Sequence, residues 1–449
     1  MSSELAARPS LARRSFGSLT VNGVRHSMLT LTSTALGGGV LSVAYVMSLC
    51  GVGLGCLMLA TGASLAFIGT IALMEMSTQT GCGTYAALFS HCAGPRAGPI
   101  LDAMLFVYGN GSCVGYMVFI GDFLPAIMNL ITGNGAHAGW ICNRTLLIFI
   151  SAVVMVPLVL PRDIAVLRHV APASIAALVY MALVVAFKAP ALYHEHLDDS
   201  QYGNVVIVNP TIHFFEAFSM CVFAYNCHLN VVPVAEHFVR PTKERIVKVS
   251  ARVNLLQFTF YCLIGITGYL SFLTHTCSDI IKDYPSDDPF VAGGRFMLTC
   301  TMMVAIPMNM NPTIKSALQI KDYFLPSDPQ LLLAAQPSDS AQPKDEFLRV
   351  VTTLTCLGCQ AMLAVLVPQV GIILSLLGAT VATAMMLIIP AYCMGIVLPW
   401  SRRRVAKQIV LYFFALVSVA SVPMTILESA GMIPSAQTAE QSVLCTSAH

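Results

Sequence analysis

Long apolar stretches alternate with short polar segments along most of the chain. Eleven apolar stretches can be delimited, at about residues 27–50, 54–76, 98–131, 144–161, 165–188, 210–233, 249–273, 296–320, 347–367, 371–398 and 405–427. Each has the roughly 18 to 25 residues that an α-helix needs to cross a hydrocarbon core about 30 Å thick. The pattern predicts an all-α polytopic membrane protein with about 11 transmembrane helices, which we number spans 1 to 11 in chain order.

Lysine and arginine are distributed unevenly between the segments that separate the spans. Of 24 basic residues, 20 fall in alternate segments, and the other four are Arg144, Lys188, Lys282 and Arg295. Because cytoplasmic loops retain basic residues, this bias predicts a cytoplasmic N-terminus and an extracytoplasmic C-terminus. We therefore expect a cytoplasmic tail (1–26), a single transmembrane domain (27–427) and an extracytoplasmic tail (428–449). The sequence leaves open whether the membrane is the plasma membrane or an internal one.

Composition and motifs exclude several classes of function. Hydrophobic residues make up 56% of the chain and charged residues 10%, against roughly 25% charged in ordinary globular proteins. No basic patch with interleaved aromatic residues predicts nucleic-acid binding. The sequence lacks the HExxH, GxSxG and P-loop patterns that a membrane-embedded enzyme would need. His194-Glu195-His196 lies in an outward loop without nearby cysteines, so we predict no enzyme activity, no cofactor and no metal.

Most of the 15 cysteines lie in apolar spans, where thiols behave as small hydrophobic groups. Cys142 and Cys277 lie in or beside outward loops, where a disulfide between them is one alternative. Asn143 begins a glycosylation sequence close to span 4, and a chance match is the simpler interpretation because the site lies so near the bilayer.

The spans can be grouped into two blocks of five, residues 27–188 and 210–398, with 405–427 as an extra helix. Since five is odd, the second block starts from the opposite side of the membrane, so any similarity between the blocks would be an inverted repeat. Many secondary transporters are built in this way, with the substrate site at mid-membrane where the first helix of each block is broken.

Both expected breaks have a sequence signal. Span 1 contains Gly37-Gly38-Gly39, and glycine lowers the cost of leaving helical geometry. Span 6 contains the polar run 223–230, which is unusual at membrane depth. Each signal alone also fits simple helix packing, because small and polar residues are common at helix contacts. Their matching positions in the two blocks favour broken helices 1 and 6.

On these features the chain resembles the amino acid/auxin permease family. The motifs that carry the resemblance cover nearly all of residues 27–427: the run Gly37-Gly38-Gly39-Val40-Leu41 with Tyr45; Phe223, Tyr225, Cys227-His228, Pro233 and Glu236 before the basic loop from Arg240; Ile306-Pro307 and Asn311-Pro312; and Pro368, Gly371, 376–380 and Pro390. The resemblance implies a five-plus-five inverted repeat that moves amino acids by alternating access.

The site that this resemblance implies also makes sense physically. An amino acid zwitterion is costly to transfer into low dielectric, so both of its charged ends need fixed partners. Amides exposed at the break of span 1 can bind the carboxylate, and carbonyls beside the breaks can bind the ammonium. The predicted substrate contacts are Gly37, Gly38, Gly39, Phe223, Ala224 and Tyr225, with Tyr108, Asn110 and Asn309 added for their polarity at membrane depth.

Three residues bear on coupling or substrate charge. Sodium-coupled members of the family usually have an asparagine where this chain has Ser33 and a hydroxyl residue where it has Ala305, so the resemblance favours proton coupling or uniport. Glu216 has two open interpretations: it reads substrate charge or carries a proton, or it is simply the partner of His213. His228 either titrates or packs within the signature.

The sequence therefore predicts a secondary active or facilitative amino acid transporter, with an amino acid and the lipid bilayer as partners and protons as a further candidate partner. The alternative is an amino acid sensor or channel-like protein that uses the same fold without net transport.

Overall fold

A computed structural model describes residues 22–132, 142–161, 171–197, 202–324, 343–429 and 432. Within these residues all regular secondary structure is helical. Most of the two predicted tails, and with them the basic residues of 1–21, lie outside the described residues. The loop positions Arg162, Arg168, Asp198 and Asp199 lie outside them too.

A helix corresponds to each predicted span. Their bounds are Val24–Ala35 with Gly38–Cys50 (span 1), Val52–Thr80 (span 2), Ala97–Thr132 (span 3), Arg144–Val159 (span 4), Ala173–Leu197 (span 5), Phe214–Glu236 (span 6), Lys243–His275 (span 7), Pro289–Phe324 (span 8), Glu346–Leu366 (span 9), Val370–Val397 (span 10) and Arg402–Glu428 (span 11). Among the described residues nine helices are long and apolar enough to cross a membrane singly, and the two parts of span 1 make a tenth. Span 4 is shorter, with 16 residues.

Large apolar side chains are exposed on the outside of this helical assembly. Phe187 on span 5 is 87% exposed and Leu416 on span 11 is 73% exposed. Contiguous exposed apolar surface of this kind requires an apolar partner, and lipid provides it here. The protein is therefore a multi-pass membrane protein, as the sequence predicts, while the number of crossings and the inverted repeat remain predictions.

Span 1 is broken at the glycine run. Its first part ends at Ala35, and the chain turns through 59° before the second part begins at Gly38. Three consecutive glycines have no Cβ atoms to favour helical geometry, so the break costs less here than elsewhere in the span. The first N–H groups of the second part have no partner within their own helix.

Span 6 is interrupted at Tyr225-Asn226-Cys227. A regular helix ends at Ala224, a short 3-10 turn covers His228–Asn230, and the helix resumes at Val231. Asn226 competes for the backbone, since its side-chain oxygen accepts from the His228 amide at 3.4 Å. The predicted interruption is thus present at the predicted residues.

Span 10 has a wider helical geometry at its centre. Residues Gly378–Ala382 and Ala384–Ile388 form π-helical turns between two α-helical ends. The Thr383 hydroxyl donates to the carbonyl of Gly378, five residues earlier, at 2.7 Å. An ideal Cβ added at Gly378 would lie 2.0 Å from the carbonyl oxygen of Ser219, so only glycine lets span 10 approach span 6 this closely.

One helix was not predicted from the sequence. Tyr85–Ala93 lies between spans 2 and 3, and the Thr84 side chain caps its first turn by accepting from the Ala87 amide at 3.1 Å. Its Tyr85 hydroxyl is buried and donates to the carbonyl of Met385 at 2.7 Å. With only nine residues, the helix is too short for an apolar-length criterion to detect.

The predicted outward basic residues all have partners. Arg144 contacts Asp122 at 3.0 Å, Lys282 contacts Asp122 at 3.7 Å, and Lys188 pairs with Asp288. Arg295 donates to the carbonyls of Tyr284 at 2.6 Å, Ile281 at 2.9 Å and Pro285 at 3.2 Å. These four cations are thus part of the packing of this side of the protein.

Two side chains near span 4 have roles that the sequence left open. The predicted alternative of a disulfide between Cys142 and Cys277 is wrong, because Cys142 has a free thiol whereas Cys277 is disulfide-bonded. Asn143 is the N-cap of span 4, and its side-chain oxygen accepts from the Leu146 amide at 3.1 Å. This capping role accounts for an asparagine at the start of the helix.

Candidate functional site

A cavity of about 350 Å³ lies beside the breaks in spans 1 and 6. Its volume falls within the range of small-molecule sites, which is roughly 300 to 1,000 Å³. Eight of the residues predicted for the site line it: Ser33, Gly37, Gly38, Gly39, Phe223, Ala224, Asn309 and Tyr108. Of the described side chains that line the cavity, none is acidic or basic.

The two breaks touch each other at this cavity. An ideal Cβ built on Gly39 would lie 3.2 Å from the Cα of Ala224 and 3.3 Å from the ring of Phe223. On the other side of the run, a Cβ on Gly38 would lie 3.0 Å from the ring of Phe119. The glycine run is therefore enclosed between span 6 and span 3, which brings its backbone directly to the cavity.

Tyr261 of span 7 connects the two breaks, and the sequence analysis missed it. Its buried hydroxyl lies 2.7 Å from the carbonyl oxygen of Ala224 and 3.1 Å from that of Ala35, and it is the donor to both. Ala35 and Ala224 are the last residues of the first parts of spans 1 and 6. Nothing in an apolar span shows which of its tyrosines will face two distant helix ends, so the sequence carried no specific signal.

Aromatic and amide side chains form one wall of the cavity. The rings of Phe223 and Tyr108 have centroids 5.8 Å apart, a separation within the range of attractive aromatic pairs. Asn226 and Asn230, from the break in span 6, line the cavity beside them. The polarity of the run 223–230 is thus directed partly towards the space where a ligand would lie.

The cavity extends from the breaks towards one face of the protein. It follows the first part of span 1 at 33–35, span 3 at Leu105 and Gly109, and the second halves of spans 6 and 8 at Asn230 and Thr313. Odd-numbered spans begin and even-numbered spans end on this face, and the loop that contains Arg240, Lys243 and Arg245 lies there. We call it the basic face, and the opposite one the acidic face.

A polar layer closes the acidic face above the breaks. The Ser42 hydroxyl, at the end of the 3-10 turn in span 1, donates to the Ser278 carbonyl at 2.5 Å. Two contacts fix the segment after Ser278: Arg295 donates to the Ile281 carbonyl, and Lys282 contacts the buried Asp122. Burial, together with the Asp122 carboxylate, raises the pKa of Asp279 in this loop to about 8.

Tyr225 and His228 lie behind the break and do not line the cavity. Both are fully buried against glycines of span 2: a Cβ at Gly62 would lie 2.8 Å from the Tyr225 ring, and a Cβ at Gly69 would lie 2.7 Å from the His228 ring. These glycines are seven residues apart, about two helical turns, so they form one face of span 2. The structure therefore gives both signature residues a packing position.

Asn110 also does not line the cavity. Its side-chain nitrogen donates to the Phe106 carbonyl at 2.8 Å, and its side-chain oxygen accepts from Gln360 of span 9 at 2.8 Å. It thus joins spans 3 and 9, and its role as a substrate contact stays a prediction. Asn309, by contrast, lines the cavity while it donates to the Ala305 carbonyl at 2.9 Å.

The residues predicted to affect coupling are in different places. Ser33 and Ala305 both line the cavity, and the Ser33 hydroxyl donates to the Thr30 carbonyl at 2.8 Å. Glu216 lies at the start of span 6, away from the cavity, with His213 at 3.7 Å. The interpretation of Glu216 as a partner of His213 therefore agrees with the geometry.

Helices broken at mid-membrane beside a small cavity are the construction of a membrane carrier. The chain matches the family model described as transmembrane amino acid transporter protein over residues 20–428, and it belongs to this family. The AAT1 protein of Toxoplasma gondii is 32% identical over 324 residues, which cover 72% of this chain and 44% of that protein. The chain thus spans less than half the length of this relative.

Two further relatives are covered over most of their length. Vacuolar amino acid transporter 5 of Schizosaccharomyces pombe is 26% identical over 373 residues, which cover 82% of this chain and 83% of that protein. Sodium-coupled neutral amino acid transporter 7 of Danio rerio is 23% identical over 379 residues, which cover 82% and 77%.

Proposed function

We propose that this chain carries neutral amino acids across a membrane by alternating access, with the substrate held where the breaks in spans 1 and 6 meet. The observation that carries the proposal is the close approach of Gly39 to Ala224 beside a cavity of about 350 Å³, which is large enough for an amino acid. Membership of the transporter family supports the same function.

The backbone at the breaks suits the two charged ends of the substrate. The amides of Gly38 and Gly39 are the first of their helical segment, where N–H groups are unpaired within the helix and the helix dipole favours an anion. They are the proposed donors to the carboxylate. The carbonyl of Ala224 accepts from Tyr261 and keeps a second lone pair, which makes it the proposed acceptor for the ammonium. The Ala35 carbonyl already accepts from both Tyr261 and the Gly37 amide, the latter at 3.0 Å.

Neutral substrates are proposed because of the cavity wall. The described side chains that line it include no acid and no base, and Phe223 and Tyr108 provide apolar surface. A charged substrate side chain would have no counter-ion there, and an unpaired charge away from water is costly. The name of the Danio rerio relative, a neutral amino acid transporter, points in the same direction.

Proton coupling or uniport is proposed in place of sodium coupling. Ala305 offers no side-chain oxygen to a cation, which leaves the Ser33 hydroxyl, a donor to the Thr30 carbonyl, as the one side-chain oxygen at these two positions. The sodium coupling in the name of the Danio rerio relative is therefore not carried over to this chain.

The test is uptake of labelled amino acids into liposomes that contain the purified protein. We expect saturable uptake that unlabelled neutral amino acids inhibit and that lysine, arginine and glutamate do not. Replacement of sodium by choline should leave the rate unchanged. Saturable binding without uptake would favour the sensor alternative, and loss of uptake in choline would overturn the proposed coupling.

A further inference from the structure

A second polar cluster lies at the acidic face, apart from the cavity. His213 and Glu216 are at the start of span 6, and Glu428 is at the end of span 11. The His213 Nδ1 atom lies 3.7 Å from Glu216 Oε2 and 3.6 Å from Glu428 Oε2. One nitrogen and two carboxylate oxygens thus lie within 4.8 Å of one another.

The Glu216 carboxylate is buried with an unsatisfied oxygen that points into this cluster. Its side chain is 7% exposed, and Oε2 has no hydrogen-bond partner within the described part of the chain. A buried carboxylate oxygen without a partner carries a substantial desolvation cost. An ion held between the three side chains would remove that cost.

Hydroxyl groups one turn further into the protein hold the two helices at this separation. Ser219, three residues after Glu216, lies 2.9 Å from the Ser375 hydroxyl, which lies 3.0 Å from that of Thr425. Thr425 is three residues before Glu428. This buried chain of hydroxyls fixes the helices that carry both carboxylates, so the cluster is preorganised rather than formed by mobile side chains.

The donor set selects the kind of ion. An imidazole nitrogen with two carboxylates suits zinc, whereas calcium and magnesium prefer oxygen ligands alone. Zinc ligands lie about 2.0–2.2 Å from the ion, and ligand atoms around a tetrahedral ion are then about 3.3 Å apart. The two separations from His213 exceed that by only a few tenths of an ångström, so small rotamer shifts would close the site.

We propose that His213, Glu216 and Glu428 bind one zinc ion, which joins the start of span 6 to the end of span 11. With a neutral imidazole, the two carboxylates balance the charge of the ion, and water completes its coordination. This proposal does not depend on the proposed transport function, because it concerns an ion at another place in the molecule.

The histidines singled out in the sequence provide a matched control. His194 and Glu195 are exposed at the end of span 5. His196 is buried, stacks on Tyr202 with centroids 3.7 Å apart, and its Nδ1 contacts the Ser271 carbonyl at 2.7 Å. The two histidines of this motif therefore do not share one ion site, although their spacing first drew attention to them.

The test is equilibrium dialysis of the purified full chain against Zn²⁺ in detergent, with metal measured by elemental analysis. We expect one tightly bound zinc per chain. Glu428→Gln and His213→Gln should each weaken binding by at least about tenfold, since loss of even an outer-shell partner typically costs that much. His194→Gln should bind zinc as the wild type does. Equal binding by the wild type and Glu428→Gln, or no binding by the wild type, would overturn the proposal.

The free cysteines are the competing ligands, so the identity of the bound atoms must be measured. X-ray absorption of the zinc-loaded protein should give a shell of nitrogen and oxygen near 2.0–2.2 Å, without sulfur at about 2.3 Å. A sulfur shell would place the ion on cysteines and refute the assignment. Glu216→Gln is a further variant. If this substitution of a buried residue prevents folding, Glu428→Gln still tests the site, because the Glu428 side chain is 20% exposed.

Discussion

The hydroxyl of Tyr261 donates a hydrogen bond to the carbonyl oxygen of Ala224 at 2.7 Å, and the carbonyl of Ala35 lies 3.1 Å from the same hydroxyl. A single side chain of span 7 thus fixes the ends of two half-helices that are almost 190 residues apart in the chain. Movement at either break must keep, shift or lose this contact.

Tyr261→Phe should therefore weaken both the fold and the site. Removal of the hydroxyl leaves the buried Ala224 carbonyl without this donor, which costs about 1–3 kcal/mol, while the Ala35 carbonyl keeps the Gly37 amide. We expect a lower thermal unfolding temperature in detergent and a several-fold slower uptake. Tyr269→Phe is the matched control, since its hydroxyl, on the same span, accepts from the Val206 amide outside the site. If both variants slow uptake equally, Tyr261 has no special role at the breaks.

Gly38→Leu should abolish uptake while the protein still inserts into the membrane. Even a Cβ at this position would lie 3.0 Å from the Phe119 ring, so a branched side chain must fill the cavity or displace span 3. Gly37→Ala is the control, because its Cβ would meet only the Tyr116 hydroxyl at 3.5 Å, an ordinary contact. A blot of the membrane fraction should show both variants in equal amounts. Unaltered uptake by Gly38→Leu would exclude a substrate site at the break in span 1.

Gly69→Ala should destabilise the support behind the break in span 6. The added methyl group would lie 2.7 Å from His228 Nε2 and 2.9 Å from the Met386 carbonyl oxygen. Overpacking of this kind typically costs about 1–3 kcal/mol, which thermal unfolding in detergent can measure. Gly358→Ala, where no atom lies within 4 Å of the new Cβ, should leave the unfolding temperature unchanged. An unchanged unfolding temperature in Gly69→Ala would mean that span 2 and His228 are not tightly packed.

The loop at the acidic face should make stability depend on pH. Burial raises the pKa of Asp279 from 3.8 to about 8, and the neighbouring titratable groups are Asp122, Asp283, Lys282 and Arg295. Because the folded-state pKa is above the unfolded one, the stabilisation is complete below pH 3.8 and is lost as the pH rises through about 8. The unfolding temperature should therefore fall as the pH rises from about 4 to about 8 and should level off above that.

Asp279→Asn should reduce this dependence, since the amide does not titrate. Asp287→Asn is the control, because Asp287 is exposed in the same loop and should leave the wild-type profile intact. An identical slope in wild type and Asp279→Asn would assign the pH dependence to other groups.

The sequence alone predicted the helices of the spans and both breaks, but not the short helix Tyr85–Ala93. Span lengths follow from apolar runs. The break in span 1 follows from Gly37-Gly38-Gly39, because glycine lowers the cost of leaving helical geometry, and the break in span 6 follows from the polar run 223–230, because such a run at membrane depth must be buried in protein or line a cavity. The rotation of each helix about its axis does not follow from such patterns. Asn110 and Asn226 are equally polar in the sequence, yet one joins span 9 and the other lines the cavity.

Contacts between distant helices were the least predictable features. The contacts of Tyr261, and the hydroxyl chain from Ser219 through Ser375 to Thr425, depend on which helices are neighbours. The identity of a single residue does not show which helix lies beside it. Glu428 was treated as the start of a tail, so its approach to His213 was not foreseen. Only the arrangement of spans 6, 10 and 11 brings them together.

The π-helical turns of span 10 make its length a constraint. A π turn contains one residue more than an α turn would at the same place, and here the Met385 carbonyl that follows receives the Tyr85 hydroxyl. Deleting one residue between 378 and 382 would remove the first of the two π turns and rotate everything beyond it by about 100°. The Met385 acceptor would then face another neighbour, so this span tolerates exchanges of side chains better than any change in the number of residues.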